Sequence, residues 1–236
     1  IDKLRVKWQA WITANKVALD KLQAEMLADE ERLGTLSPLI VANPMLDQAL
    51  GAGLSGVTEA NLASLMLLVE EGPVSVLLTG DGVSTEILDG LERHDKLDAD
   101  GRVHVDVLKV QHHGALANVE QDFVKRVTAD HYVFCGNGAH HNPEIEVVEA
   151  FAAARLTGID HDGPIGPPTA FKFWFTSGPT TPDSTASQSR HKHMKKVKAK
   201  VTILQQGNGT RFSATFLKEG RFEIDLLHRG SSRPHA

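Results

Sequence analysis

The sequence predicts a layered α/β fold. Between residues 64 and 156, apolar runs of strand length alternate with stretches whose apolar residues recur every three or four positions. Turn-forming Gly, Pro and Asn residues separate several of these runs. This alternation is typical of a sheet whose strands are connected by helices that pack on its faces. The chain has 236 residues, which is enough for one large domain or one domain with a small appendage.

The first 60 residues predict a helical segment followed by a linker. Apolar residues between Leu4 and Met26 recur near the helical period, which predicts a helix over residues 1–33. Residues 34–60 contain repeated glycines and prolines, so we expect mostly loop with one short helix.

The core of the predicted domain spans residues 61–156. Residues 64–70 and 74–79 are apolar runs on either side of Glu71-Gly72-Pro73, which predicts a hairpin with both strands buried. The same criteria predict helices over residues 83–93, 119–127 and 144–155 and strands over residues 103–110 and 131–135.

Residues 157–236 predict a loop-rich extension that also contains β-strands. Strands are expected at residues 171–176, 200–205, 211–217 and 221–227, with hairpin turns at 207–209 and 219–220. The basic segment 190–200 includes His191-Lys192-His193, which we interpret as a solvated face, with nucleic-acid contact as the alternative. His161 lies in a loop-like segment and is expected to be an exposed histidine rather than a metal ligand.

Charge and cysteine content restrict the class of protein. The formal net charge of -5 argues against a nucleic-acid coat protein but allows a local basic patch. The single cysteine, Cys135, fits a reducing compartment, so we expect a cytoplasmic location. No apolar run approaches the roughly 20 residues of a membrane helix, and the first residues do not look like a signal peptide, so no membrane partner is expected.

Chemically reactive side chains follow two consecutive predicted strands. Asp81 stands between Gly80 and Gly82 after the strand predicted over residues 74–79. His112 and His113 follow the strand predicted over residues 103–110. Ligands of layered α/β sheets bind at the carboxyl ends of strands, where a carboxylate can bridge two cations and an imidazole can bind one. Gly-Asp-Gly alone is more typical of a turn, but the joint placement favours a metal site.

A third candidate is the glycine-rich loop over residues 135–144. It connects a strand to a helix whose N-terminus could hold an anionic group. His140 or His141 would then contact the substrate or donate a proton. A turn that leads into a helix beginning near Pro143 is an equally good interpretation.

Five segments in this order and spacing resemble the competence-type (ComEC-like) branch of the metallo-β-lactamase-fold hydrolases. They are N-L-x-S-L-x-L-L-x-E from Asn61, L-L-T-G-D ending at Asp81, V-D-V-L-K-V-x-H-H-G ending at Gly114, Asn118, and A-D-H-Y-V-F-x-G-N-G-x-H-x-N-P-E ending at Glu144. The resemblance covers residues 61–154, under half of the chain.

The resemblance implies the C-terminal half of a four-layer αβ/βα sandwich with two divalent metal ions, zinc or manganese, in the cleft between the halves. It implies Asp81 as the bridging ligand and His113 as a further ligand. His112 would contact the scissile phosphate or the leaving group, although the roles of the two histidines could be reversed and His112 could bind the metal.

The resemblance also implies that Asn118, His140 and His141 line the substrate side, with His112 or His140 protonating the leaving oxygen. The expected activity is that of a metal-dependent hydrolase, specifically a phosphodiesterase or nuclease. Its partners would be a nucleic acid or another phosphodiester substrate, together with a missing N-terminal half or a partner protein.

The family's upstream motif His-x-His-x-Asp-His is absent, and residues 1–80 contain no histidine. Because a hydrolytic zinc site needs about four ligand positions, one of them open to water, Asp81 and one histidine do not complete it. Three explanations are open. The upstream half is missing from this chain because it was disordered, cleaved or split into another chain. The chain is a processed fragment still bound to that half. Or it is a degenerate, non-catalytic relative.

Two other functions are compatible with the sequence. One is a non-catalytic binding or regulatory subunit that docks a partner through the N-terminal helix, with Trp8 and Trp11, and the C-terminal region. The other is a hydrolase of small esters or lactones, since a fold does not by itself determine the substrate.

Overall fold

The computed structural model describes residues 16, 61, 64–158, 164–179, 185–217 and 222–226. The chain divides into two units, Ile1–Ala52 and Gly53–Ala236, and every element described below lies in the second. The helix expected over residues 1–33, apart from Lys16, and the loop around His161 lie outside the described residues.

The described residues form one six-stranded sheet whose strand order follows the chain. The first two strands pair antiparallel as a hairpin, and each later strand runs parallel to the one before it. The strands are β1 (Leu67–Glu71), β2 (Val74–Leu78), β3 (Val103–Lys109), β4 (Val127–Phe134), β5 (Phe171–Phe175) and β6 (Phe212–Phe216). The predicted α/β class and the predicted hairpin are both confirmed.

Four α-helices connect or flank these strands in the described part of the chain: α1 (Ser84–Arg93), α2 (Gln121–Arg126), α3 (Ile145–Leu156) and α4 (Thr185–Gln205). Parallel neighbours require a crossover connection, and a helix is the usual way to provide one. The helices expected at 83–93, 119–127 and 144–155 are confirmed, although α2 is shorter than expected. In the part of the chain that the structure describes, no helix combines the length and the apolar character that crossing a membrane requires.

One face of the sheet carries the core. Leu108, Tyr132, Phe134 and Phe173 alternate along their strands and are fully buried there. The ring of Phe151 in α3 lies 5.3 Å from that of Tyr132 and 6.3 Å from that of Phe134. Burial raises the pKa of Tyr132 to about 12. This face is therefore a dry aromatic layer between the sheet and its helices.

Arg155 at the end of α3 is a buried cation within this core. Its Nη1 donates to the carbonyl oxygen of Ala129 at 2.9 Å, and its Nη2 donates to the carbonyl oxygens of Pro167 and Thr169, each at 3.1 Å. The guanidinium group also lies 5.1 Å from the centre of the Phe171 ring. Arg155 thus ties β4, α3 and the segment before β5 together, because a buried guanidinium needs its donors satisfied.

The opposite face of the sheet is only partly covered, and the expectation that both hairpin strands are buried is wrong. Leu67 and Val69 on β1 are 46% and 50% exposed, and Leu78 on β2 is 39% exposed. β1 is the edge strand of the sheet, but Leu78 lies on β2, so the exposure is a property of this face and not of the edge alone. Lys109, His131 and Trp174 lie on the same face further across the sheet and are half-buried.

The C-terminal region differs most from expectation. Residues 200–205 are the end of helix α4 and not a strand, because Met194, Val197 and Val201 recur at helical spacing and are buried. The predicted hairpin turn at 207–209 is therefore also wrong, because it follows a helix and β6 pairs parallel with β5. Residues 222–226 are described and do not form the expected strand, whereas 219–220 lie outside the described residues. The region expected to be an extension contributes two strands to the same sheet.

Candidate functional site

Asp81 lies just beyond the carboxyl end of β2. The Thr79 hydroxyl donates to the carbonyl oxygen of Lys109 at 2.6 Å and thereby ties the ends of β2 and β3 together. Gly80 has a φ of +53°, and a Cβ at this position would lie 2.9 Å from the carbonyl oxygen of Leu65. The turn that presents Asp81 therefore requires glycine before it.

The carboxylate of Asp81 has two cationic or potentially cationic neighbours. His113 Nε2 and Lys109 Nζ each lie 3.7 Å from Asp81 Oδ1. Lys109 also donates a hydrogen bond to the carbonyl oxygen of Gly80. Asp81 and His113 are 39% and 46% exposed, so both remain accessible at the rim of the sheet. The structure thus brings together the two residues that the sequence placed at consecutive strand ends.

The separation of Asp81 and His113 fits two ligands of one ion. Zinc bonds to nitrogen and oxygen of about 2.0–2.1 Å allow two ligand atoms of the same ion to lie up to about 4 Å apart. The described residues contain no group of three or more His, Cys, Asp or Glu side chains placed to hold a metal ion. Asp81 and His113 therefore fit as part of a ligand set, and the described residues do not complete that set.

A buried asparagine orients His112. The side-chain amide of Asn118 donates to the carbonyl oxygens of Asp81 at 3.0 Å and Gly82 at 3.3 Å. Its Oδ1 then faces His112 Nδ1 at 2.8 Å and accepts a hydrogen bond from it. This contact makes Nδ1 the protonated nitrogen of neutral His112 and leaves Nε2 with a free lone pair.

Asn61 contacts the same ring nitrogen in a conflicting way. Its Nδ2 lies 3.0 Å from His112 Nδ1, and an amide nitrogen there requires Nδ1 to be an acceptor. The Asn118 contact decides the tautomer, because two backbone carbonyls fix the orientation of its amide and its side chain is buried. Asn118, expected to line the substrate side, thus lies in the buried support beneath the site.

The candidate histidines share an uncommon backbone conformation. Of the five non-glycine residues with positive φ in the described chain, four are His112, His113, His140 and His141. Their φ values range from 42° to 63°. Such residues cost about 1–3 kcal/mol each and tend to occur at functional sites. Apart from Asp95, which follows α1, these residues lie in the two loops that the sequence singled out, which supports a functional role for both.

The loop that carries His140 and His141 packs against the loop of His112 and His113. Glu144 N donates to the carbonyl oxygen of Gly114 at 2.9 Å. A Cβ on Gly114 would lie 2.7 Å from the Cβ of Pro143, so the two loops approach as closely as glycine allows. His140 and His141 are exposed on this rim, and among the described residues neither forms an ion pair with Asp81.

Helix α4 touches the same rim, which the sequence did not predict. His193 is buried, and its Nε2 contacts the carbonyl oxygen of Pro143 at 2.9 Å. Its ring lies 5.5 Å from that of His141. The interpretation of His191-Lys192-His193 as a wholly solvated face is therefore wrong for His193. The helical spacing of Met194, Val197 and Val201 was the available sequence signal, since it places His193 beside the apolar side of a helix.

Lys109 and Cys135 are site neighbours to which the sequence assigned no role. Burial raises the pKa of the Cys135 thiol, the ammonium of Lys109 opposes that shift, and the carboxylate of Asp81 adds to it. The pKa of the thiol therefore depends on both charges at the end of the sheet. Lys109 is the last residue of β3, shortly before the loop of His112 and His113. Its position at that strand end could have indicated from the sequence that it lies near the candidate site.

A cleft of about 180 Å³ lies away from these residues. It is lined by Val74, Ser75, Val103 and His104, among others, at the amino-terminal ends of β2 and β3. Asp81, His112 and His113 stand beyond the opposite ends of these strands. The candidate site is thus an open rim in the described part of the chain, and the cleft has no part in its chemistry.

Comparisons with protein-family models, with curated proteins and with solved structures find no match for this chain.

Proposed function

We propose that this chain is the C-terminal half of a metal-dependent hydrolase with the metallo-β-lactamase fold, and that the complete site cleaves phosphodiester bonds. The observation that carries the proposal is the approach of Asp81 and His113 at adjacent parallel strand ends, 3.7 Å apart. Strand ends of this kind are where layered α/β proteins bind ligands. A carboxylate and an imidazole within reach of one ion are suitable ligands for zinc or manganese.

The half-sandwich part of the proposal is supported by the partly covered face of the sheet. Sheets with parallel strands almost always have both faces covered, because their crossover helices lie on both sides. Here β2 to β6 are parallel, yet Leu78 on β2 remains partly exposed on one face, together with Leu67 and Val69 on the antiparallel edge strand β1. A further layer on this face would bury them, and it is also the layer that would bring the remaining metal ligands.

Each residue of the candidate site has a distinct role in the proposed reaction. Asp81 and His113 would hold the metal, and the metal when bound would supply an activated water and polarise the phosphoryl oxygen. The Nε2 lone pair of His112, which Asn118 orients, would accept a proton from the attacking water, and the resulting imidazolium would donate that proton to the leaving oxygen. Lys109 offsets the charge of Asp81 and so lowers the repulsion that an anionic phosphodiester meets. His140 stands on the neighbouring loop and is the second candidate for the leaving-group proton.

The test is hydrolysis of bis(p-nitrophenyl) phosphate and of single-stranded DNA by protein expressed from the full-length gene with added zinc or manganese. We expect Asp81→Asn and His113→Ala to lose at least about 100-fold in turnover and to lose bound metal. His112→Ala should lose turnover but retain the metal. His94→Ala, an exposed histidine next to α1, is the control and should behave as the wild type.

Other results would change the assignment. Wild-type turnover by Asp81→Asn would overturn it. Metal loss in His112→Ala with retention in His113→Ala would reverse the two histidine roles. Cleavage of p-nitrophenyl acetate or a simple lactone, without cleavage of phosphodiesters, would favour the hydrolase of small esters or lactones. Absence of stoichiometric metal in the full-length protein would favour a non-catalytic binding subunit.

A further inference from the structure

Helix α4 concentrates positive charge in an otherwise acidic chain. Over Thr185–Gln205 it carries six Lys and Arg residues and no Asp or Glu, whereas the whole chain has a formal net charge of -5. The segment lies outside the residues on which the family resemblance rests. Its charge is therefore a local feature that needs its own explanation.

The positive side chains of α4 point away from the core. Met194, Val197 and Val201 are buried against the domain, whereas Lys192, Lys195 and Lys196 are exposed. We call these three exposed residues the α4 lysine row. Lys200 forms an ion pair with Glu149 at 2.7 Å, but within the described residues no carboxylate forms an ion pair with a member of the row. The row is a set of uncompensated charges on one side of a well-anchored helix.

The helix lies directly beside the candidate site. A Cβ on Gly138 would lie 2.7 Å from the carbonyl oxygen of Arg190, so α4 and the loop of His140 and His141 are in close contact. The contact between His193 and Pro143 joins the same two segments. Since that loop in turn packs on the loop of His112 and His113, two successive contacts link α4 to the candidate site.

We propose that the α4 lysine row binds the phosphate backbone of a nucleic-acid strand and guides it to the histidine loops. This inference rests on the proposed function only for the cleavage step, because binding by the row does not require metal. Phosphates exchange their condensed counterions for the three ammonium groups, which favours binding without regard to sequence. The row covers about 6 Å along the helix. This length is close to two phosphate intervals of about 3.4 Å each along one strand.

An anionic membrane surface fits the same helix less well. Interfacial helices insert an apolar face into the lipid, opposite their basic face. The apolar face of α4 is occupied, because Met194, Val197 and Val201 are buried within the domain. Ile203 is an exposed apolar side chain on the helix, and one such residue does not make an inserting face.

The test measures binding of a fluorescein-labelled 20-nucleotide single-stranded DNA by anisotropy at several KCl concentrations. The variant is Lys192→Gln, Lys195→Gln and Lys196→Gln together, since Lys and Gln have similar helix propensities and α4 should stay folded. The control is Arg93→Gln, Lys96→Gln and Lys125→Gln together, which removes the same net charge elsewhere. Circular dichroism verifies that both variants keep the wild-type fold.

We expect the lysine-row variant to bind at least about 10-fold more weakly at 0.1 M KCl and to show a log–log salt slope that is shallower by about 2. The control variant should bind within about twofold of the wild type. Equal losses in both variants, or unchanged binding by the row variant, would overturn the proposal. Binding to phosphatidylcholine–phosphatidylserine vesicles without binding to DNA would also overturn it, in favour of a membrane.

A further comparison separates this proposal from the proposed function. If the wild type binds DNA through the row but cleaves no phosphodiester, the proposed function fails and the binding surface stands. If the wild type cleaves DNA and the row variant does so with an unchanged KM, the binding surface fails and the proposed function stands.

Discussion

The side-chain oxygen of Asn118 lies 2.8 Å from Nδ1 of His112, while the nitrogen of the same amide donates to the backbone carbonyls of Asp81 and Gly82. One buried amide therefore positions both the carboxylate turn and the first histidine of the candidate site. Its three contacts leave the His112 ring with its Nε2 lone pair available. The arrangement resembles the support that metal-site and catalytic histidines commonly receive from a neighbouring carbonyl.

The first prediction concerns this amide. Asn118→Ala should lower the free energy of unfolding by about 2–3 kcal/mol, because buried polar groups of Asp81, Gly82 and His112 lose their partner. Nitrogen NMR should show the Nδ1–H tautomer of neutral His112 in the wild type and its loss in the variant.

Asn137→Ala is the matched control. Asn137 is exposed in the neighbouring loop and accepts a single local hydrogen bond from Ala139 N at 3.0 Å, so its removal should cost well under half as much. An Nε2–H tautomer of His112 in the wild type would contradict the assignment and would favour the Asn61 contact instead.

The second prediction uses Cys135 as a reporter of the charges at the sheet end. Because burial raises the pKa of its thiol, alkylation by iodoacetamide should reach half its maximal rate at a higher pH than for a free cysteine. Asp81→Asn removes a charge that raises this pKa, so the midpoint should move to lower pH. Lys109→Met removes a charge that lowers the pKa, so the midpoint should move to higher pH.

The control for this experiment is Asp89→Asn, which changes an exposed carboxylate on α1 that pairs with Arg93. Its alkylation profile should match the wild type. Shifts in the same direction for Asp81→Asn and Lys109→Met would show that the variants act through a change in burial and not through their charges.

The third prediction compares the same chemical change at two glycines. Gly138 has a φ of +85° and meets the backbone of α4, so Gly138→Ala should destabilise the protein by roughly 1–3 kcal/mol. Gly90 lies inside α1, and a Cβ added there would meet nothing within 4 Å, so Gly90→Ala should stabilise the protein by about 0.5–1 kcal/mol. Urea unfolding measures both, and a Gly138→Ala variant at least as stable as the wild type would refute the close contact between α4 and the histidine loop.

The local pattern of the sequence was sufficient for much of the fold. The alternation of apolar runs and helical periods predicted the hairpin and the succession from β2 to β5. It also placed Asp81 and His113 at the ends of neighbouring strands, and the structure brings these two side chains to 3.7 Å. Such predictions succeed because periodicity and turn residues act over a few positions, and because parallel neighbours align their carboxyl ends.

The same local reasoning failed where two local interpretations compete. Residues 200–205 contain β-branched residues and suggested a strand, but Val201 shares a buried helical stripe with Met194 and Val197, so burial extends α4 through them. The exposure of β1 was missed for a related reason. Its apolar residues resemble a buried strand, and only the tertiary structure shows that the face of the sheet that carries Leu67, Val69 and Leu78 is partly uncovered.

By itself the sequence determined the α/β class, the strand ends that bear Asp81 and His113, and the glycine-rich loop of His140. Tertiary packing determined how these parts meet. Asn118 reaches Asp81 across 37 positions of sequence, and His193 reaches Pro143 across 50. No local pattern encodes contacts over such distances, because they depend on how the helices and loops pack once the sheet has formed.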